Sequence, residues 1–423
     1  MASDPITQFE LTRLQANNYT RKRFKIKPAA PISPPIKTIR ILYGLITTPN
    51  AKVFETAIQG GTLISSTQVG PNIQASTLNR PASAYAADAK MGWSVSLSKD
   101  GNLAAISSTE AYDTEAPGSL GGDPPIESGN VRVFEYDGTS WSQKGSTLYA
   151  GETQDEARVG WSVDLSDDGL KLLVQSPGPA NSNGNISARP TYYVFESGDW
   201  VEKSRPNRSF PSGVRGQMSN DGNVIVITDP DSGYGSGVGA SVWEYDLSSD
   251  SWSFREDISL GSYNYQAGVG LDINNDGSRL CSSSYNNTVK VYEWDGSSYN
   301  QMGSNIVGNS GDAAVFCRMN DAGDILAIAA PGAGVIRVYR WNGSIWVKDD
   351  TEINNSGSGI EINPTGDVIV GGTGNTGLSI SQYYNGVWNT VGSLAPDTGP
   401  VTNSYIPGYI TLYGQFTIGL SEI

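Results

Sequence analysis

Not one of the 423 residues is a histidine. That absence removes Ser-His-Asp and Cys-His activation of a nucleophile, along with every His-ligated metal site. Cysteine is nearly missing too. Cys281 and Cys317 stand far apart and form no C-x-x-C pattern, so neither a zinc site nor a redox motif is indicated. No run of about 18 apolar residues occurs, so no membrane insertion is expected. The start, MASDPITQFELTR, lacks the basic-then-apolar layout of a secretory signal, and the chain is expected to carry no export signal of its own. Charged residues are sparse at 17%, and the net charge of −15 speaks against a general nucleic-acid or anionic-membrane binder. That charge is uneven. Residues 1–40 hold eight Lys/Arg against Asp4 and Glu10, or +6, which leaves −21 on the remainder.

What is abundant is glycine, 50 residues of it, with Tyr and Trp outnumbering Phe. This is the profile of an all-β chain with many tight turns. The stretch GWSVSLSKDGNLAAISS from Gly92 returns in near-copy from Gly160 and Gly270. Gly101, Gly169, Gly222, Gly277, Gly323 and Gly366 serve as a ruler for six copies. Four residues before each stand Leu97, Leu165, Met218, Ile273, Met319 and Ile362. Three after stand Ala104, Leu172, Ile225, Leu280, Leu326 and Ile369. The segment before the turn alternates apolar and polar, and the one after it is apolar on both faces. That pattern predicts a hairpin whose second strand is buried between layers, with Asp-Gly supplying the positive φ of the bend.

A second hairpin follows each first one, with leading strands such as VRVFEYDG at Val131 and VKVYEWDG at Val289. Its return strand carries Trp141, Trp200, Trp252, Tyr299, Trp346 or Trp388. Two hairpins make a four-stranded antiparallel unit of about 45–65 residues, the size of a β-propeller blade. Such a sheet cannot cover both apolar faces alone, so the blades must stack around an axis. AKVFETAIQGGTLISSTQVG from Ala51 matches a second hairpin only, and YITLYGQFTIGL from Tyr409 is strand-like. The two ends are therefore expected to combine into one closing blade. The fold class is all-β, a propeller over residues 38–423 with about seven blades, six being the alternative, preceded by an extended arm over 1–37.

With G-W-S-V-x-L-S-x-D-G and V-x-V-[FY]-E-[YW]-D-G side by side, the chain resembles the FG-GAP-like (integrin-α-type) propeller repeats, over roughly residues 40–395. Similar arrays occur in bacterial, algal and viral proteins. Calcium loops common in that family do not carry over, because the turns SKDG, SDDG, SNDG, NNDG, NDAG and NPTG offer too few carboxylates. No metal and no cofactor are expected, and no local constellation selects a catalytic pair. The G-x-G-x-x-G at Gly372, Gly374 and Gly377 runs into LSISQYY, which reads as a strand rather than the helix a dinucleotide site needs. The sequon Asn342-Gly343-Ser344 is expected by chance in so Asn- and Ser-rich a chain.

Two features carry the functional expectation. Trp141, Trp200, Trp252, Trp346 and Trp388 lie where a carbohydrate-binding propeller can place stacking rings, although one ring repeated in every blade is also what packing produces. The basic, Pro-rich arm contains Arg21, Lys22, Arg23, Phe24, Lys25 and Lys27, which can add a strand to an acidic neighbour. An adhesin-like propeller, no export signal and a protruding arm together imply a non-enzymatic virion structural protein in a tail, fibre, nozzle or capsid exterior. Its expected partners are other virion proteins in a homo-oligomer or larger assembly, and a host-surface glycan. The alternative is an extracellular carbohydrate-binding or adhesion propeller.

Overall fold

The six ruler glycines all carry positive φ, from 64° at Gly323 to 74° at Gly366. A computed structural model describes residues 34–45, 50–74, 91–109, 129–149, 158–176, 189–208, 215–228, 238–259, 270–284, 287–309, 312, 316–355, 359–372, 377–394 and 416–422. Each turn is built by one repeated device. The residue three before the glycine accepts the N–H of the residue two after it. Ser98 Oγ takes Leu103 N–H at 3.0 Å, and Asn363 Oδ1 takes Val368 N–H at 2.7 Å. Asp100 in turn accepts Ser98 Oγ–H at 2.6 Å and Asn102 N–H at 3.0 Å. The turn carboxylates are thus spent on the turn itself. At Gly169 the positive φ strains any side chain, and a Cβ would also lie 2.2 Å from Leu103 Cδ1, which would have to move.

The first blade orders its strands Met91–Leu97, Leu103–Ser108, Asn130–Tyr136 and Trp141–Gln143, each antiparallel to the next. Blades two to six repeat this order, with first strands Ser162–Leu165, Gly216–Met218, Leu271–Ile273, Phe316–Met319 and Ile360–Ile362. The seventh is shared by the two ends of the chain. Its first strand is Phe416–Glu422, paired to Lys37–Leu45, then Asn50–Gln59, then Thr62–Gln68. The ring therefore has seven blades, not six. The first strands contact one another in a closed circuit around the axis. The described residues contain no helix, so none long and apolar enough to cross a membrane.

Apolar packing lies between blades rather than within them. Seven buried clusters occupy the seven seams. Cys281 and Cys317, both free and fully buried, belong to the seam between blades four and five. Lys37 fastens the closing blade. Its ammonium donates to Asp367 Oδ1 at 2.7 Å in blade six and to Glu422 Oε1 at 3.0 Å on the last strand.

At one end of the axis the tight turns of blades one to six form a belt. Lys99 N–H donates to Asp167 O, Asp167 to Asn220, Asn220 to Asn275, Asn275 to Asp321, and Asp321 to Pro364, over 2.7–3.2 Å. Pro364 has no N–H to continue the belt, and the closing blade has no such turn. Side chains take over there: Glu422 Oε2 accepts from Asn363 Nδ2 at 2.6 Å and from Thr365 Oγ1 at 3.2 Å. Across this end the Lys99 ammonium sits 2.9 Å from Asp167 and 3.7 Å from Asp321, so blade one reaches blade five.

Candidate active site in the central channel

In a first strand, the residues four and six before the turn glycine are buried in the seams: Val163 and Leu165, Leu271 and Ile273, Cys317 and Met319, Ile360 and Ile362. Strand alternation then turns the residue between them toward the axis. Around the ring that column reads Ser96, Asp164, Gln217, Asp272, Arg318 and Glu361. First strands are sheet edges with unpaired N–H groups, and this column caps them from the neighbouring blade. Ser96 Oγ accepts Leu165 N–H at 3.0 Å, Asp164 Oδ2 accepts Met218 N–H at 2.7 Å, and Asp272 Oδ2 accepts Met319 N–H at 2.7 Å. Asp164 Oδ1 also accepts Ser96 Oγ–H at 3.3 Å. Among the described residues Asp272 receives no second hydrogen bond, which leaves one of its oxygens to the channel.

Arg318 links three blades. Its Nε donates to Glu361 Oε1 at 2.8 Å and its Nη1 to Leu271 O at 2.9 Å. The two side chains remain 19% and 23% exposed, so the pair faces the channel and is not sealed in a seam. Burial works against the Arg318 charge, but Glu361 and Asp272 outweigh it and hold its pKa above the usual value. Burial pushes the Asp164 carboxyl up to about 7 against the pull of Met218 N–H and Arg318, and nearby Glu361 adds to the rise. Burial does the same for Asp272, also up to about 7, with Arg318 opposing and Glu361 and Asp164 reinforcing it. Two carboxyls thus hold their protons into the neutral range beside a guanidinium that cannot lose its own.

Two residues before Gln217 on the same strand face, Arg215 sets its guanidinium over the Phe316 ring, 5.6 Å from the centroid. This contact spans from blade three to blade five. From blade four, Gly270 approaches the same strand, where an added Cβ would lie 2.5 Å from Cys317 N and 2.9 Å from Phe316 Cα. Burial and then Arg318 lower the Arg215 pKa to about 10, which leaves it cationic at neutral pH. At the end of the first strands opposite the belt, Trp93 and Trp161 pack at a tilt of 46° with centroids 4.7 Å apart.

The residues singled out in the sequence lie elsewhere. Arg21, Lys22, Arg23, Phe24, Lys25 and Lys27 fall outside the described residues. The five tryptophans sit on outer strands, each tied to the preceding blade by its indole N–H. Trp141 donates to Val69 O at 2.9 Å, Trp200 to Lys144 O at 2.9 Å, Trp252 to Ser204 O at 2.7 Å, Trp346 to Met302 O at 3.1 Å and Trp388 to Asp349 Oδ2 at 2.9 Å. Each also packs on an aromatic of its own blade, as Trp200 does on Phe195 at 5.3 Å. After the glycine-rich stretch, Leu378–Tyr384 is a strand. The channel column was missed because its members are one per blade, far apart in sequence. The available signal was a polar residue at one fixed offset before every turn glycine.

No protein-family model matches the chain, and no curated protein matches it. Solved structures do. The periplasmic gluconolactonase PpgL of Pseudomonas aeruginosa superposes with a TM-score of 0.57 at 13% identity, over 92% of this chain and 99% of that one. A Bacteroides fragilis protein provisionally called a 6-phosphogluconolactonase gives 0.54 at 10% identity, over 91% and 98%. A second, from Bacteroides uniformis, gives 0.54 at 10% over 85% and 95%. At such identities the likeness establishes the fold.

These findings correct four expectations. The structural relatives named by function are lactonases, so the kinship with FG-GAP-like viral proteins is withdrawn. The repeated words behind it spell tight turns, caps and buried strands, which any propeller needs. The non-enzymatic assignment falls with it, since those relatives are named as hydrolytic enzymes. So do the virion function and location: one relative is periplasmic, and none of the three is a virion component. The extracellular adhesion alternative gains no support either.

Proposed function

We propose that this protein is a hydrolase that opens a sugar lactone within the channel of its propeller. The observation that carries the reading is the pair Asp164 and Asp272, both with carboxyls pushed up to about 7, facing a channel that the Arg318–Glu361 ion pair also lines. The lactonases among the solved relatives support the substrate class.

Asp272 has an oxygen uncommitted to other described residues, so in its ionised form it takes the proton of a water attacking the lactone carbonyl. The guanidinium of Arg318 faces the charge that develops on the carbonyl oxygen, an interaction stronger in the transition state than before it. As the ring C–O bond breaks, Asp164 in its acid form gives a proton to the departing ring oxygen. Water and lactone yield one open hydroxy acid, and the two carboxyls return to their starting states by proton exchange with solvent. A pKa near 7 lets one member of such a pair be ionised while the other is neutral. The test is acceleration of glucono-δ-lactone hydrolysis over its spontaneous rate, with loss in Asp272→Asn. Lack of acceleration overturns the reading.

A further inference from the structure

Three other arginines of this acidic chain each meet a carboxylate: Arg255 lies 3.0 Å from Glu244, Arg279 2.6 Å from Glu293, and Arg340 3.0 Å from Asp349. Arg215 does not. Among the described residues its guanidinium has the Phe316 ring and no acid. The position is built rather than incidental. Gly270 lets blade four lie close against the backbone of Cys317 and Phe316, and the Phe316 ring faces the guanidinium without spending its N–H groups. Arg318 follows Phe316 by two residues on the same strand, so ring and guanidinium share one face of blade five, and Arg215 approaches that ring from blade three. Arg215 is half-buried and has no counter-ion among the described residues, a costly arrangement unless an anion arrives to meet it.

We infer that Arg215 is a subsite for an oxyanion group carried by the substrate, a phosphate or a carboxylate remote from the carbonyl that is attacked. The inference rests on the lactonase reading for the identity of the rest of the molecule. A planar guanidinium binds either group through two parallel N–H···O bonds. The substrate class is then an anionic sugar lactone in preference to a neutral one.

Three lactones distinguish the sources: glucono-δ-lactone as the neutral reference, its 6-phosphate, and glucaro-1,4-lactone with a free carboxylate. In Arg215→Gln the ratio of kcat/KM for the preferred charged lactone over the neutral one should fall about ten- to hundred-fold. Arg215→Lys, which keeps the charge and loses the fork, should fall less. A fall confined to the phosphate or to the carboxylate lactone identifies the group. Equal losses on all three, in a variant with an unchanged near-UV spectrum, would overturn the subsite and leave the lactonase reading intact. Should no lactone be hydrolysed, calorimetry with 6-phosphogluconate and gluconate still decides. Binding of the phosphorylated acid that disappears in Arg215→Gln keeps the subsite while the hydrolase falls, and absence of binding removes both.

Discussion

Arg318 and Glu361 come from neighbouring blades, 43 residues apart in the chain, and meet at the channel with Nε 2.8 Å from Oε1. Neither partner is meaningful in its own blade. They share the channel with Asp164 and Asp272, in a ring that Phe416–Glu422 closes by pairing with Lys37–Leu45.

Asp272→Asn and Asp164→Asn should each lower kcat by about two to four orders of magnitude, the usual worth of a positioned acid or base. Asparagine still accepts the N–H of Met319 or Met218, so the cap survives. The sign of the stability effect follows from the raised carboxyls. Folding tightens proton binding by Asp272 from the ordinary 3.8 to about 7. Its favourable share is then full below about pH 4 and is lost as pH rises through about 7. The Asn variants have no charge to bury, so their Tm should match or exceed the wild type at pH 8. A large drop in Tm with activity retained would make these carboxylates strand caps and nothing more.

The rate against pH should be bell-shaped with its apex near neutrality. Ionisation of Asp272 sets the acid limb and deprotonation of Asp164 the alkaline limb, read as macroscopic values of a coupled pair. In Asp164→Asn the residual activity should lose its alkaline limb. A profile rising without a break to pH 10 would remove Asp164 as the acid.

Trp200→Phe deletes the N–H that reaches Lys144 O and should cost about 1 kcal/mol in urea denaturation. Trp388→Phe should cost more, about 1.5–3 kcal/mol, because its acceptor is the Asp349 carboxylate. Equal, negligible losses would show that the indole ties do not hold the blades together.

Lys37→Met tests the clasp between the chain ends. Burial opposes the ammonium, yet its hydrogen bonds to Asp367 and Glu422 outweigh it and raise its pKa. Its stabilisation is present below about pH 10 and lost as pH rises through the folded value. The variant should be less stable than wild type at pH 7, and the two should converge at still higher pH. A constant difference across that range would assign the loss to packing of the lysine stem.

The propeller was legible because its constraints are local. A glycine at positive φ, a capping Ser or Asn three residues earlier and an apolar strand after it lie within one short segment of each copy. The count of seven needed pairing between the chain's two ends, which alternation at Ala51 and Tyr409 implied but could not enforce. The Trp141 and Trp346 ties were not legible, since their acceptors at Val69 and Met302 lie a blade away. The channel column was hidden for the same reason. Asp164, Asp272, Arg318 and Glu361 form no motif in sequence, and only the ring gives their shared offset a common destination.

The most direct measurement is the rate of glucono-δ-lactone opening at pH 7, with spontaneous hydrolysis subtracted, for the wild type and Asp272→Asn side by side. The account predicts clear acceleration by the wild type and a loss of at least about a hundred-fold in the variant. Equal rates for the two proteins, or no rate above the spontaneous one, would contradict it.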